Sequence, residues 1–100
     1  MTKFTEDVID IIKMIPIGKV MTYGQIAAYA GFPQGARQVS RILHSMSEKY
    51  DLPWHRVINS QGGISLTGEA GYIQGQMLAS EGIEVVNKKI NLQKHLFKIM

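Results

Sequence analysis

The sequence contains no cysteine among its 100 residues. This absence excludes disulfide bonds, cysteine-ligated zinc and thiol catalysis, and it is in keeping with a cytoplasmic protein. No apolar run approaches the roughly 18 residues that a membrane span needs. The N-terminus turns acidic at Glu6 and Asp7 and has no signal-peptide pattern. With only three prolines and no repeat or low-complexity segment, the chain is expected to form one domain over residues 1–100.

The residues that are present suit a globular domain with a basic surface. Hydrophobic residues make up 45% of the chain and charged residues 19%, with a net charge of +3. All three arginines, Arg37, Arg41 and Arg56, lie in the central third of the sequence. Because the guanidinium group makes forked contacts to phosphate or guanine, this placement favours nucleic acid more than the net charge does.

Helical spacing predicts a first helix from Thr5 to Ile15, with Thr5 as its N-terminal cap. A second helix is expected to begin after Thr22, which has Gln25 three residues later as in a capping box. That helix is expected to stop at Gly31, because glycine commonly ends a helix.

A third helix is predicted from about Ala36 to Ser47. Its apolar stripe consists of Val39, Ile42, Leu43 and Met46, and its polar face of Arg37, Gln38, Ser40, Arg41, His44 and Ser45. Two short helices joined by a tight turn predict a helix-turn-helix. Two interpretations of the polar face stay open, because it would suit contacts to DNA or an ordinary solvated surface.

The second half of the chain alternates short apolar segments with glycine-containing turns. Residues 57–58 and 64–66 flank a Gly-Gly turn, which predicts a hairpin and hence a candidate wing. A helix is predicted from Tyr72 to Ser80, ending at Gly82, with a short strand over residues 83–86 after it. The segment from Asn87 onwards carries no firm prediction.

Residues 53–57, Pro-Trp-His-Arg-Val, form the most informative segment of the sequence. A lone tryptophan usually belongs to the core, but Trp54 follows a polar stretch and a stiffening proline, which favours a binding site. Glu81 ends a predicted helix, where the helix dipole disfavours a carboxylate, and this indicates a specific partner for it. His55 and Glu81 together suggest a general base, although the sequence offers no nucleophile beside them.

Four blocks of the sequence resemble the O6-alkylguanine-DNA alkyltransferases in order and spacing. Residues 15–27 resemble the entry to their helix-turn-helix, and residues 37–40 the start of their recognition helix. Residues 53–57 resemble their Pro-Cys-His-Arg-Val motif with tryptophan in place of the reactive cysteine, and residues 78–82 their Leu-x-x-Glu-Gly. The tryptophan, the short length and the lack of a preceding domain resemble the alkyltransferase-like proteins of this family.

The resemblance implies an α/β domain built around a winged helix-turn-helix that binds duplex DNA. Arg37 would be the finger that enters through the minor groove and fills the space of a flipped guanine, and Tyr23 would push on the 3′ phosphate. The implied lesion pocket comprises Tyr23, Trp54, His55, Val57, Ser60 and Glu81. The implied DNA contacts are Thr22, Tyr23, Ala36, Arg37, Gln38, Ser40 and Arg41.

The implied function is recognition of O6-alkylguanine without repair, because the indole of Trp54 has no nucleophilic lone pair to accept an alkyl group. The lesion would pass to nucleotide excision repair, and the protein would act as a monomer without cofactor, metal or membrane. Two alternatives stay open. One is a sequence-specific winged-helix transcription regulator, and the other is an enzyme in which His55 and Glu81 activate water.

Two segments depart from the family pattern. Met46 and Ser47 fall where the enzymes usually carry an Asn-Pro pair that braces the active-site turn. Residues 65–70, Ser-Leu-Thr-Gly-Glu-Ala, replace a stretch that is usually rich in glycine and tyrosine. We therefore expect another brace for the turn and a roomier pocket.

Overall fold

The computed structural model describes residues 1–99, in which five α-helices surround two short strands. The elements are α1 (Lys3–Met14), β1 (Met21–Thr22), α2 (Tyr23–Tyr29), α3 (Ala36–Tyr50), a 3-10 turn (Trp54–Arg56), β2 (Val57–Ile58), α4 (Gly68–Ser80) and α5 (Leu92–His95). Within residues 1–99 no helix has the length and apolar character needed to cross a membrane.

Helix α1 begins two residues earlier than the sequence predicts. The prediction that Thr5 caps it is wrong, because the Thr2 side chain accepts a hydrogen bond from the Thr5 N–H at 3.1 Å. Thr5 therefore lies inside the first turn, where its own N–H needs a partner. The buried face of this helix consists of Val8, Ile9, Ile11 and Ile12.

The predicted helix-turn-helix is confirmed. Thr22 and Gln25 form the capping box, with N–H···O distances of 3.0 and 3.1 Å in the two directions. Gly31 ends α2 with a φ of 92°, a left-handed conformation that glycine adopts readily. Gly35 precedes α3, where a Cβ atom would lie 2.7 Å from the Phe32 ring, so the tight turn between the helices requires glycine there.

Helix α3 continues to Tyr50, three residues beyond the predicted end. Asp51 stops it by adopting a left-handed conformation (φ 52°, ψ 50°), and the Leu52 N–H then bonds to the Ser47 carbonyl at 2.9 Å. Val39 and Leu43 are buried, with Ile42 and Met46 packed beside them. The polar residues predicted for the other face are all exposed: Arg37, Gln38, Ser40, Arg41, His44 and Ser45.

The sheet differs from the predicted hairpin. Strand β2 pairs in parallel with β1, with Met21 opposite Val57. The Asn59 side chain accepts from the Gly63 N–H at 2.9 Å and closes the turn locally, and Ile64 then bonds to the Lys88 carbonyl at 2.9 Å. Residues 62–64 pair with residues 88–90 instead, with an antiparallel bridge between Gly63 and Lys89, so residues 64–66 form no hairpin with β2.

The remaining predictions for the second half are partly wrong. Helix α4 begins at Gly68, four residues before the predicted Tyr72. The predicted strand over residues 83–86 is reduced to a single antiparallel bridge between Val86 and Lys89. In the C-terminal segment, Leu96 forms an isolated parallel bridge with Val20, the residue before β1.

A buried ionic cluster joins the end of α1 to the end of α4. Glu81 accepts from Arg56 Nη2 at 2.7 Å, from His55 Nε2 at 2.7 Å and from the Gly18 N–H at 3.3 Å. Arg56 Nη1 donates in turn to the Ile15 carbonyl at 2.9 Å. The Glu81 side chain is only 12% exposed, so the sequence prediction of a specific partner for it is confirmed. Arg56, grouped above with the DNA-binding arginines, is committed to this cluster.

The cluster determines the acidity of Glu81. Burial alone raises the pKa of its carboxyl group, but the hydrogen bonds from Arg56, His55 and Gly18 outweigh burial and lower the pKa from 4.5 to about 2. The ionised form of the Glu81 side chain is therefore more strongly stabilised in the folded state than in the unfolded chain.

This difference predicts acid sensitivity. The stabilisation is complete above the unfolded pKa of 4.5 and is lost as pH falls towards 2, an effect of about 3 kcal/mol. Urea unfolding between pH 6 and 2 should show this loss in the wild type. Glu81→Gln should be less stable at pH 6 and lose less on acidification, whereas Glu84→Gln, at an exposed site, should follow the wild type. A Glu81→Gln curve parallel to the wild type would contradict the assignment.

Candidate functional site

The turn after α3 places Trp54 at the surface of the core. Pro53 follows the left-handed Asp51 by two residues, and the 3-10 turn then begins at Trp54. The indole is partly buried against the main core cluster and meets the His55 ring edge-on, with centroids 6.2 Å apart. Trp54 thus has one side in the core and another available to a ligand.

Gln74 fixes this turn from α4. Its Nε2 donates to the His55 carbonyl and to the Val57 carbonyl, both at 3.0 Å, and the side chain is 2% exposed. Gln74 could not be identified from the sequence, because a glutamine in a helix is ordinarily exposed and its partners lie 17 and 19 residues away. A buried amide that bonds two carbonyls of one turn holds that turn rigidly.

A cavity of about 270 Å³ lies beside Trp54 and α3. We call it the Tyr23 cavity, and its lining residues are Tyr23, Ser40, Leu43, His44, Ser47, Trp54, Leu66 and Gln74. Its volume is close to the lower end of small-molecule sites, roughly 300–1,000 Å³. Burial raises the pKa of Tyr23, partly offset by the Ser65 hydroxyl, so Tyr23 presents a neutral phenol there.

A second cavity of about 580 Å³ shares part of its wall with the first. We call it the Met77 cavity, and its lining residues are His44, Ser47, Glu48, Asp51, Leu52, Pro53, Trp54, His55 and Met77. Three of these residues, His44, Ser47 and Trp54, line both cavities. The two spaces are therefore adjacent, with Trp54 between a mainly apolar cavity and one that carries carboxylates.

His55 and Glu81 form a hydrogen-bonded pair of the kind that can act as a general base. His55 Nε2 lies 2.7 Å from Glu81 Oε2 and donates its hydrogen to the carboxylate. Its buried Nδ1 has no hydrogen-bond partner in the described part of the chain. This pair adjoins the indole of Trp54, and the sequence has no cysteine. Among residues 1–99 no three His, Asp or Glu side chains come together as a metal site.

The first turn of α3 is open to a ligand. Gly35 provides no side-chain cap, so the leading backbone N–H groups of the helix lack a side-chain acceptor. Arg37, Gln38 and Arg41 are exposed on the same helix that lines the Tyr23 cavity further along. Free N–H groups, a positive dipole end and two arginines suit phosphate oxygens.

The structure brings some predicted site residues together and separates others. Tyr23, Trp54 and Ser40 line the Tyr23 cavity, and His55 lines the Met77 cavity. Glu81 lies among Arg56, His55 and Gly18 and is not among the residues that line either cavity. Thr22 is the N-terminal cap of α2, and Ala36 is the first residue of α3.

Val57 and Ser60 lie outside the lining of both cavities. Val57 is buried, its N–H bonds to the Trp54 carbonyl and its own carbonyl accepts from Gln74, so both of its backbone groups already have partners. Ser60 is exposed in the loop closed by Asn59. Their contacts with a base remain predictions.

Other contacts brace the turn and line the cavity at the two segments that depart from the family pattern. The turn is braced by the Ser47 carbonyl, which accepts from Leu52, and by Gln74, while Met46 packs against the core. In the divergent segment 65–70, Leu66 forms one wall of the Tyr23 cavity, and Lys88 Nζ donates to its carbonyl at 2.6 Å.

Comparison with known proteins identifies the family. The family described as 6-O-methylguanine DNA methyltransferase, DNA binding domain, matches residues 3–83. A DNA base-flipping protein of Vibrio parahaemolyticus is 49% identical over 96 residues, which are 95% of this chain and 96% of the relative. Alkyltransferase-like protein 1 of Schizosaccharomyces pombe is 40% identical over 105 residues, covering 98% and 97% of the two chains.

A solved structure supports the same family assignment. The crystal structure of S. pombe Atl1 in complex with damaged DNA containing O6-carboxymethylguanine superposes with a TM-score of 0.88 at 39% identity. The superposition covers 99% of this chain and 98% of that chain. The α/β helix-turn-helix class predicted from the sequence is thereby confirmed. This chain belongs to the alkyltransferase-like proteins of the 6-O-methylguanine DNA methyltransferase family.

Proposed function

We propose that this protein binds duplex DNA containing O6-alkylguanine, rotates the damaged base into the Tyr23 cavity and holds it there without chemical change. The observation that carries the proposal is Trp54, which lines a cavity on the recognition helix in a chain that has no cysteine. The relatives named above as a base-flipping protein and as Atl1 bound to damaged DNA support it.

The chemistry of the cavity suits a flipped purine. Trp54 offers an aromatic face for stacking, and Leu43 and Leu66 provide apolar contact. Tyr23 and Gln74 bring hydrogen-bonding groups to the same space. Extruding a base costs a few kcal/mol, and less when its pairing is already damaged, as it is after O6-alkylation. Selectivity would then arise from cheaper extrusion as well as from contacts in the cavity.

The DNA contacts would come from the open end of α3. Its free N–H groups and the exposed Arg41 suit the phosphate backbone, while Arg37, exposed in the first turn, would enter the duplex. An inserted side chain that fills the vacated stack offsets part of the unstacking energy.

Because the sequence has no cysteine to accept the alkyl group, we expect the protein to hand the lesion over to another repair system. A bound O6-alkylguanine would persist until another system removed it, and nucleotide excision repair excises such adducts with the surrounding strand. We include in the proposal that this protein directs its lesions to that system.

Lesion preference is the first expected outcome. Wild type should bind a duplex with one O6-methylguanine more tightly than the same duplex with guanine, and mass spectrometry should show protein and lesion unchanged. Trp54→Ala should stay folded and lose the preference, whereas Tyr72→Ala, at an exposed aromatic outside both cavities, should keep it. A methylated protein, a released base or a preference for sequence over lesion would contradict the proposal.

Arg37 provides the test of flipping. With a fluorescent base analogue beside the lesion, wild type should produce brightening that Arg37→Ala abolishes at saturating protein, because the wedge is gone. Arg37→Lys should rescue little, since an ammonium group cannot stack as a planar guanidinium does. The matched control is Arg41→Ala, which should weaken modified and plain duplexes about equally and leave flipping intact. Normal brightening in both Arg37 variants would show that Arg37 contacts only phosphate.

Handover is tested by reconstituted excision. Adding the protein to a purified bacterial nucleotide excision system should accelerate incision of a duplex with O6-alkylguanine and leave a bulky control lesion unaffected. The Trp54→Ala variant should provide no acceleration. Slower incision with the wild type would mean that the protein shields the lesion from repair.

A further inference from the structure

We propose that Gln25 is a positioning residue for base flipping, because it holds the C-terminal residues 95–99 against α2 and thereby fixes the place of Tyr23 in the wall of its cavity. We call residues 95–99 the tail segment. The inference rests on the proposed function and gives a role in it to a residue that lines neither cavity.

The tail segment is hydrogen-bonded to the chain before β1 and to the end of α2. The Val20 N–H donates to the His95 carbonyl at 2.9 Å, and the Val20 carbonyl accepts from the Phe97 N–H at 2.8 Å. In the last turn of α2, the Tyr29 hydroxyl donates to the Ile99 carbonyl and accepts from the Ile99 N–H, both at 3.1 Å. The tail segment therefore runs beside the whole first half of the helix-turn-helix.

Gln25 bonds the tail segment between these two points and uses both ends of its amide. Its Nε2 donates to the Phe97 carbonyl at 2.5 Å, while its Oε1 accepts from the Thr22 N–H at 3.1 Å in the capping box. Glutamate serves a capping box as well as glutamine does, and the helix dipole favours the charged residue there. Of the two, only the amide can also donate at neutral pH, so the contact with the tail segment gives a reason for glutamine.

Helix α2 needs support from its neighbours. It has seven residues, and isolated helices shorter than about 12 residues are marginal in water. Ile26 and Ala27 pack into the core, while Gln25 and Tyr29 bond to the tail segment. Tyr23 is the first residue of the helix, so a displacement of α2 would move one wall of the Tyr23 cavity.

The effect of such a displacement should be specific to the flipped complex. In the proposed function, Tyr23 meets the damaged base only after that base has left the duplex. An interaction shifts an equilibrium only as far as it differs between the two states. A displaced α2 would therefore weaken the flipped complex more than it weakens binding to an undamaged duplex.

The Gln25→Glu variant removes the contact with the tail segment and keeps the capping box. The carboxylate still accepts from the Thr22 N–H, but it cannot donate to the Phe97 carbonyl. Lesion preference is the ratio of the affinities for a duplex with one O6-methylguanine and the same duplex with guanine. This ratio should fall about twofold to tenfold, the change in an equilibrium constant that one hydrogen bond accounts for. A general loss of affinity from the added charge cancels in the ratio.

The Tyr29→Phe variant makes the same test without a change in charge. It removes both hydrogen bonds to Ile99 and keeps the aromatic ring. Lesion preference should fall in this variant as well. The matched control is Gln76→Glu, which makes the first substitution at an exposed position of α4 outside both cavities and should keep the wild-type preference.

Nuclear magnetic resonance of the free protein reports on the tail segment independently of DNA. In Gln25→Glu and in Tyr29→Phe, the Phe97 amide should exchange with solvent several-fold faster than in wild type, and the ring signals of Tyr23 should shift. The Gln76→Glu variant should show neither change. Urea unfolding establishes that each variant is folded under the conditions of the binding assay.

Folded variants that release the tail segment and keep the wild-type lesion preference would overturn the inference, because the segment would then contribute only to stability. Unchanged exchange of the Phe97 amide in Gln25→Glu would also overturn it, because Gln25 would then not hold the segment. Failure of the proposed function is a different result. In that case wild type itself would bind the O6-methylguanine duplex no more tightly than the plain one.

Discussion

The ionic cluster centred on Glu81 is the constraint on which the site depends. One carboxylate receives Arg56, His55 and the Gly18 N–H, and Arg56 extends the cluster to the Ile15 carbonyl. The end of α1, the following loop, the 3-10 turn and the end of α4 are thus tied at one point. Removing one member of a buried ion pair ordinarily costs about 3–5 kcal/mol, because it leaves an uncompensated charge. The turn that carries Trp54 is therefore tied to the ends of both α1 and α4.

The same cluster orients the residues beside Trp54. A His–Glu dyad with an ionised carboxylate is an arrangement that activates a nucleophile, and here it adjoins an indole. Glu81 bonds the His55 side chain and Gln74 bonds the His55 carbonyl, so the two residues orient His55 and its turn from two sides. In the proposed function this scaffold provides a rigid aromatic wall, and a binder gains from rigidity whether or not chemistry follows.

Local features could be predicted from the sequence, and long-range pairings could not. The capping box of Thr22 and Gln25 and the two faces of α3 depend on residues three or four apart, so the sequence alone identifies them. The predicted hairpin is wrong because residues 62–64 pair with the distant residues 88–90 rather than with β2. Arg56 and Glu81 are 25 residues apart, and no local spacing links them. The resemblance to a known family identified Trp54 and Arg37 as candidate site residues. The role of Gln74 is shown only by its two hydrogen bonds in the folded structure.

Helix α3 combines two opposite electrostatic tasks in 15 residues. Its N-terminal end has uncapped N–H groups, a positive dipole end and Arg37, which suit the DNA backbone. Its C-terminal end has Glu48, Asp51 and the negative dipole end, which border the Met77 cavity. Phosphate is attracted at the N-terminal end of the helix and repelled at its C-terminal end. In the proposed function this polarity would favour one orientation of α3 on DNA, with its first turn towards the phosphate backbone.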